Sequence, residues 1–310
     1  MSVKKKHRRY GLSKDDIVFL VVFLAYPLAL FAIFYVYVNF SSVLLAFKEY
    51  HFDDTYRWVL FDNFGRFLQM IGGASESWTI GFVNSLKMYI LCLVICLPLY
   101  ILFSYILFKK CFFHKGLRIL VMIPQIISGF IMCLVFKNFI EGGIPGAMEK
   151  LFGAENFPNL LTDENSTFAT TLFYTIWISF STSLIVYPNA MNEIGDEVIE
   201  AANLDGVGNI FQELRYILIP LIFPTISTFL ITGFAAIFTN AGAIPTFFMY
   251  DAPTNAKNIG YLYWVEIANS STFSGYPMLA AGGILMTMIV APLTLLLKRA
   301  LEKFGPQTDW

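Results

Sequence analysis

The chain has 310 residues, of which 57% are hydrophobic and only 14% charged, against roughly 25% charged in an average globular domain. A soluble fold of this size lacks the polar surface to cover so much apolar area, and disorder is excluded for the same reason. The net charge of −1 leaves no overall basic field for nucleic acid, so the composition reads as an all-α polytopic membrane protein.

A bilayer core about 30 Å thick is crossed by about 20 mostly apolar residues. Taken along the chain, a basic segment (residues 1–16) carries Lys4, Lys5, Lys6, Arg8, Arg9 and Lys14 and leads into a first predicted span, Ile17–Phe40. That run exceeds the 7–15 residues of a signal-peptide core and is rich in bulky aromatics, so it reads as a retained anchor. The remaining predicted spans are Ile80–Phe108, Leu117–Phe136, Phe168–Tyr187, Ile217–Thr239 and Tyr276–Leu297. Together they make a transmembrane region over residues 17–297, followed by a tail over 298–310. Prolines at 27, 98, 124, 220, 224 and 292 fall inside spans, where neighbouring groups satisfy the carbonyls that proline frees.

Most of the 21 Lys and Arg residues lie on one side: the N-terminal segment, the loop after span two (Lys109, Lys110, Lys115, Arg118), Arg215 after span four, and Lys298, Arg299 and Lys303 in the tail. The positive-inside rule then puts both termini in the cytoplasm, as six spans require. The loop between spans four and five has one basic residue, so its side follows from parity. The three outer loops, 41–79, 138–167 and 240–275, are longer, and none is large enough for a soluble domain.

Several chemistries leave no trace. There is no Gly-x-x-x-x-Gly-Lys-Ser/Thr loop for phosphates, no His-Glu-x-x-His pair, and no Gly-x-Ser-x-Gly elbow. His7, His51 and His114 lie outside the spans, and Cys92, Cys96 and Cys133 sit in apolar runs without zinc or redox spacing. No metal or other cofactor is expected in this chain. Spans one, four, five and six contain no Asp, Glu, Lys, Arg or His, whereas ion-coupled carriers generally need ionisable relays within the membrane. A passage lined by hydroxyls, amides and aromatics suits a neutral polar solute, with sugars the obvious class.

Two spans carry such groups in register. Thr175, Ser179 and Thr182 share one face of span four, with Trp177 nearby as a candidate stacking platform. Thr225, Thr228, Thr232 and Thr239 follow one face of span five, with Asn240 at its end. Hydroxyls on apolar helices also bond back to their own carbonyls or join helices, and Trp177 on such a helix also suits a lipid-facing position.

The connection between spans four and five, about 188–216, differs in character. Glu193, Asp196, Glu197, Glu200 and Asp205 make it acidic, and Val198, Ala201, Ala202 and Asp205 recur at helical spacing before Gly206. This predicts a short amphipathic helix whose small alanines admit a close neighbour and whose charge suits a basic partner; a solvated connector has the same pattern.

Glu200-Ala201-Ala202-x-x-Asp205-Gly206, followed by Ile217-x-Ile219-Pro220, resembles the EAA motif of binding-protein-dependent ABC importer permeases, and the chain is most similar to the maltose-type carbohydrate family. Asp62-Asn63-Phe64, Asn84-Ser85-Leu86, Pro124, Trp177 and Pro224 extend the likeness over most of the chain. Three features depart from the family pattern: Gly195 stands where proline is usual, Val207 where alanine is usual, and the stretch from Gly206 to Pro220 is one residue longer.

The resemblance implies a permease subunit of an ATP-driven importer in the bacterial inner membrane. It would pair with a second, unlike permease subunit. Two cytoplasmic ATPases would hold ATP and Mg, and an extracytoplasmic binding protein would deliver a carbohydrate. The loop helix would be a cytoplasmic coupling helix in which Glu200 pairs with a basic group of the ATPase, Ala201 and Ala202 enter its groove, and Asp205-Gly206 forms the turn. Sugar contacts would come from Thr175, Trp177, Ser179, Thr182, Thr232 and Asn240. A secondary carrier would instead show intramembrane charges or inverted repeats, and a scaffolding subunit would share the same spans.

Overall fold

The computed structural model describes residues 13–50, 55–72, 76–111, 113–153, 157–269 and 275–306. Among the described residues, eleven helices, a short 3-10 helix (Thr254–Ala256) and one two-stranded ribbon make up the regular structure. Six helices are long and apolar enough to cross a membrane: α1 (Lys14–Leu45), α3 (Glu76–Phe108), α5 (Gly129–Phe152), α6 (Thr167–Asn192), α8 (Ile210–Ala235) and α11 (Tyr276–Phe304). Shorter helices connect them: α2 (Asp62–Gly72), α4 (His114–Ile126), α7 (Asp196–Leu204), α9 (Ile244–Phe248) and α10 (Ile259–Asn269). Strands β1 (Lys48–Tyr50) and β2 (Tyr56–Trp58) form an antiparallel pair after α1. The basic N-terminal residues Lys4 to Arg9 lie outside the described residues.

Two parts depart from the sequence reading. The predicted third span, Leu117–Phe136, is broken. α4 ends at Ile126, Ile127 and Ser128 are extended (ψ 139° and 132°), and α5 begins at Gly129. Pro124 denies Leu120 a helical bond, and Ser128-Gly129 then supplies two weak helix formers. The membrane-length third helix is therefore the later one, continued through a π-helical turn at Phe139–Gly143 into what was expected to be outer loop. The expected loop 240–275 also contains α9, packed on α5, and α10, packed over α3 and α11.

α3, α6 and α8 pack on one another and form the largest core cluster, which includes Tyr100, Tyr105, Tyr187, Met191, Leu218 and Ile222. α1 is different: residues 13–43 are all exposed within this chain. Among the described residues its last turns pack against α11. A helix apolar on every side that buries nothing in its own chain must be covered by lipid or by another protein.

Asparagine side chains pin the connections at one end of the bundle. Asn63 Nδ2 donates to the carbonyls of Ala46 (2.9 Å) and Lys48 (2.8 Å), and Asn84 Nδ2 to those of Asn255 (2.8 Å) and Lys257 (2.9 Å). Ser85 Oγ accepts from the Ile259 amide at 3.0 Å. These buried donors close loops whose carbonyls would otherwise lack partners. α10 passes so close to the end of α8 that a Cβ on Gly260 would lie 2.5 Å from the Ala241 nitrogen. At the opposite end lie the C-termini of α3, α6 and α11, the N-terminus of α8, and α7.

Candidate functional site: a neutral cavity and an acidic loop helix

α3, α6 and α8 enclose a cavity of about 410 Å³. Its α3 wall presents Tyr89, Cys92, Cys96 and Tyr100, residues three and four apart and so on one helical face. The α6 wall presents Thr175, Ser179 and Thr182, and Asn240 and Asn258 close the end away from α7. Among the described residues no acidic, basic or histidine side chain lines this space.

Most of its hydroxyls already have a partner. Thr175 Oγ1 donates to the Thr171 carbonyl at 2.9 Å and Ser179 Oγ to that of Ile176 at 2.9 Å. Tyr100 Oη shares a hydrogen bond with Ser179 Oγ. Thr182 Oγ1 accepts from Gln125 Nε2 of α4 at 2.9 Å. A hydroxyl that donates to its own helix keeps acceptor capacity, so this wall receives hydrogen bonds from a ligand more readily than it donates them.

Of the six residues proposed for the solute passage, the cavity brings together Thr175, Ser179, Thr182 and Asn240. Trp177 stands apart, its ring 6.0 Å from Phe136 and 6.2 Å from Tyr174 in the α5–α6 aromatic cluster. Thr232 is exposed on another face of α8, bonded to the Thr228 carbonyl at 2.8 Å. The α3 residues were not anticipated, although their spacing of three and four was there to be read.

The acidic loop forms α7. Gly195, in extended conformation, precedes it, and Asp196 and Glu197 occupy the first turn, where the helix dipole favours negative charge. The far end is a Schellman stop: Val207 N–H donates to the Ala202 carbonyl at 3.0 Å and Gly206 N–H to that of Asn203 at 3.2 Å, with Gly206 at φ +94°. This is the reason for Asp-Gly at this position, since only glycine takes that φ without strain.

α7 has two unlike faces. Val198, Ile199 and Ala202 turn toward the bundle and join its core. Glu197, Glu200, Ala201 and Leu204 point away, with Leu204 89% exposed. The two alanines therefore separate, Ala202 inward and Ala201 outward. Glu200 and Asp205 are exposed, and neither makes an ion pair among the described residues. Phe211, 80% exposed, adds a second apolar side chain at this end. Leu204 and Phe211 escaped the sequence reading because nothing in their pattern separates them from core residues.

The surplus residue between Gly206 and Pro220 has a structural counterpart. Leu214–Leu218 forms a π-helical turn, with Ile219 N–H bonded to the Leu214 carbonyl. A π turn is how a helix absorbs one additional residue without breaking. Glu213, just before it, is buried: it accepts from Tyr105 Oη at 2.9 Å and lies 2.6 Å from Lys109 Nζ.

No family model matches the chain. Its fold, however, is that of a bacterial ABC transporter involved in the import of the acidic polysaccharide alginate, with a TM-score of 0.74 at 20% identity over 94% of this chain and 96% of that one. The chain shares the fold of a chain of that ABC transporter. A second structure, the alginate transporter in complex with alginate pentasaccharide-bound periplasmic protein, matches with a TM-score of 0.73 at 19% identity, over 95% and 99% of the two chains.

By sequence the chain resembles permease proteins of sugar ABC transport systems. It is 26% identical over 200 residues to the galactooligosaccharides transport system permease protein GanP of Bacillus subtilis, covering 62% of this chain and 47% of that protein. The maltodextrin transport system permease protein MdxF of the same organism is 25% identical over 301 residues, 91% and 68%. The maltose/maltodextrin permease protein MalF of Salmonella typhimurium is 29% identical over 126 residues, 40% and 24%. The chain thus spans about half the length of GanP and about a quarter of MalF.

Proposed function

We propose that this chain is the permease subunit of a binding-protein-dependent ABC importer for a neutral oligosaccharide, seated in a bacterial inner membrane with both termini in the cytoplasm. The observation that carries the reading is a pairing. An outward-facing helix with unpaired acids continues directly into two walls, α6 and α8, of an uncharged cavity. The first feature suits a basic protein partner, and the second suits a solute bound by hydroxyls and aromatic faces.

In this reading two partner ATPases bind ATP and Mg and do the hydrolysis, and a second, unlike permease subunit completes the passage. A binding protein outside presents the solute. Glu200 pairs with a basic group of the ATPase, and Ala201 with Leu204 fills an apolar contact. Ala202 lets Val207 close the turn, and Asp205-Gly206 holds the helix at its angle. Closure of the ATPases pulls on α7, and the spans rock to open the cavity to alternate sides. Thr175, Ser179, Thr182 and Asn240 are the candidate solute contacts; Trp177 and Thr232 would reach solute only at an interface with the partner subunit. The relatives handle galactooligosaccharides and maltodextrin by name, which supports an oligosaccharide. The uncharged lining favours a neutral one over an acidic polymer.

The test is reconstitution in liposomes with an ATPase and a binding protein, assayed with a panel of neutral oligosaccharides. The reading expects ATP-dependent uptake and solute-stimulated hydrolysis. ATP-independent uptake driven by an ion gradient would contradict it.

A further inference from the structure

Two of the three cavity walls are continuous with the loop helix. α6 runs into α7 through residues 193–195, and α7 runs into α8 through 205–209. α3 has no such link. It ends at Phe108 and departs into the basic connection toward α4. Besides its packing in the shared core, its end is tied to the first turn of α8 by Glu213, with one carboxylate oxygen accepting from Tyr105 Oη at 2.9 Å and the other 2.6 Å from Lys109 Nζ. Lys109 also lies 5.8 Å from the Tyr105 ring and 5.6 Å from that of Phe108.

Glu213 is buried while Lys109 stays at the surface, so desolvating the carboxylate offsets much of the attraction, whereas removing Lys109 strands a buried charge. What such a pair does well is fix one arrangement between two elements. The π turn bears on this placement. With it, Glu213 and Leu214 face the bundle together with Ile217 and Leu218, while Arg215 and Tyr216 face out. Deleting one residue there would rotate everything before it by about 100° relative to α8 and take Glu213 away from α3.

We propose that Glu213 is a positioning residue that fastens α3, through Tyr105 and Lys109, to the first turn of α8 next to α7, so that a displacement of α7 moves all three cavity walls together. The inference rests on the coupling role proposed above. Without the fastening, α6 and α8 follow α7 while α3 lags, and the cavity deforms instead of reorienting.

The experiment measures solute taken up per ATP hydrolysed in liposomes holding the full complex. Glu213→Gln keeps the shape and removes the charge. It is expected to leave complex assembly and ATP hydrolysis in place and to lower the uptake ratio roughly tenfold, within the usual range for coupling between sites. Lys109→Met should do the same, and Tyr105→Phe should lower the ratio by a smaller factor. The swapped pair Lys109→Glu with Glu213→Lys should recover much of it. A wild-type ratio in Glu213→Gln and Lys109→Met overturns the proposal. So does a parallel fall of hydrolysis and uptake with loss of the assembled complex, which is what plain structural support would give. Should the Gln variant not insert, Tyr105→Phe decides, because it adds no unpaired charge: an unchanged ratio there counts against the fastening. Failure of the wild-type complex to couple uptake to ATP at all removes the underlying reading, a result distinct from any of these.

Discussion

The cavity and the loop helix use polar groups in opposite ways. In the cavity the hydroxyls of Thr175 and Ser179 are bonded to carbonyls of their own helix, and Thr182 is held by Gln125. At α7 the carboxylates of Glu200 and Asp205 have no partner among the described residues. Within a bilayer an unsatisfied polar group costs several kcal/mol, so a passage for transient guests presents groups that are content when empty. At the water-exposed end an unpaired carboxylate costs little and stays available for a lasting protein contact. The difference separates a surface built for release from one built for attachment.

Substitutions that strike one region and spare the other sharpen this contrast. The largest effect is expected for Gly206→Pro. Proline fixes φ near −65°, against the +94° found there, and it removes the amide that closes the turn on Asn203. Uptake should be abolished while the amount of protein in the membrane fraction stays near wild type. Glu200→Lys comes next. An exposed change of this kind alters stability by no more than about 0.5 kcal/mol, yet it presents a like charge to a basic partner. Co-purification with the ATPase should fall, uptake should be lost, and the thermal midpoint of the permease should hold.

Ser179→Ala is a smaller perturbation on the cavity side. It removes the shared hydrogen bond with Tyr100 and should raise the half-saturating solute concentration through a loss of about 0.5–1.5 kcal/mol, with hydrolysis in the absence of solute unchanged. Thr232→Val should do least. Its hydroxyl bonds only to its own helix and faces away from the cavity, so solute affinity should not move. A clear change in affinity would extend the solute path to the α8 face that Thr232 occupies.

How much of this was legible depended on whether water or lipid set the pattern. The loop helix lies where one face meets water and the other meets protein, so acids, alanines and the closing Asp205-Gly206 could be read directly. Span count was equally plain, because about 20 apolar residues in a row have few other uses. Within the spans the period fails: lipid and core are both apolar, so nothing distinguished Thr175, which lines the cavity, from Thr232, which does not. The break at Ile127-Ser128 was signalled by Pro124 and Ser128-Gly129, yet proline is common in membrane helices and does not by itself announce a chain break. α9 and α10 were hidden in a stretch whose Gly, Pro and Asn content resembles an open loop. The π turn left one trace, the surplus residue before Pro220, which gained a meaning only once Leu214–Leu218 was seen to absorb it. Glu213 drew no reading from the sequence, because its partners on α3 lie more than 100 residues earlier in the chain.

The central claim is that movement enters at α7 and arrives at the cavity. Cys92 is a native reporter, since it lines that cavity and is only partly buried. With Cys111, the exposed thiol, replaced by serine, labelling of Cys92 by a membrane-impermeant thiol reagent can be measured from each side of sealed vesicles with the ATPase bound. The account predicts that ATP switches the side from which Cys92 is labelled, and that Gly206→Pro abolishes the switch. Labelling from the same side with and without ATP in the wild-type complex, or a switch that survives Gly206→Pro, would contradict it.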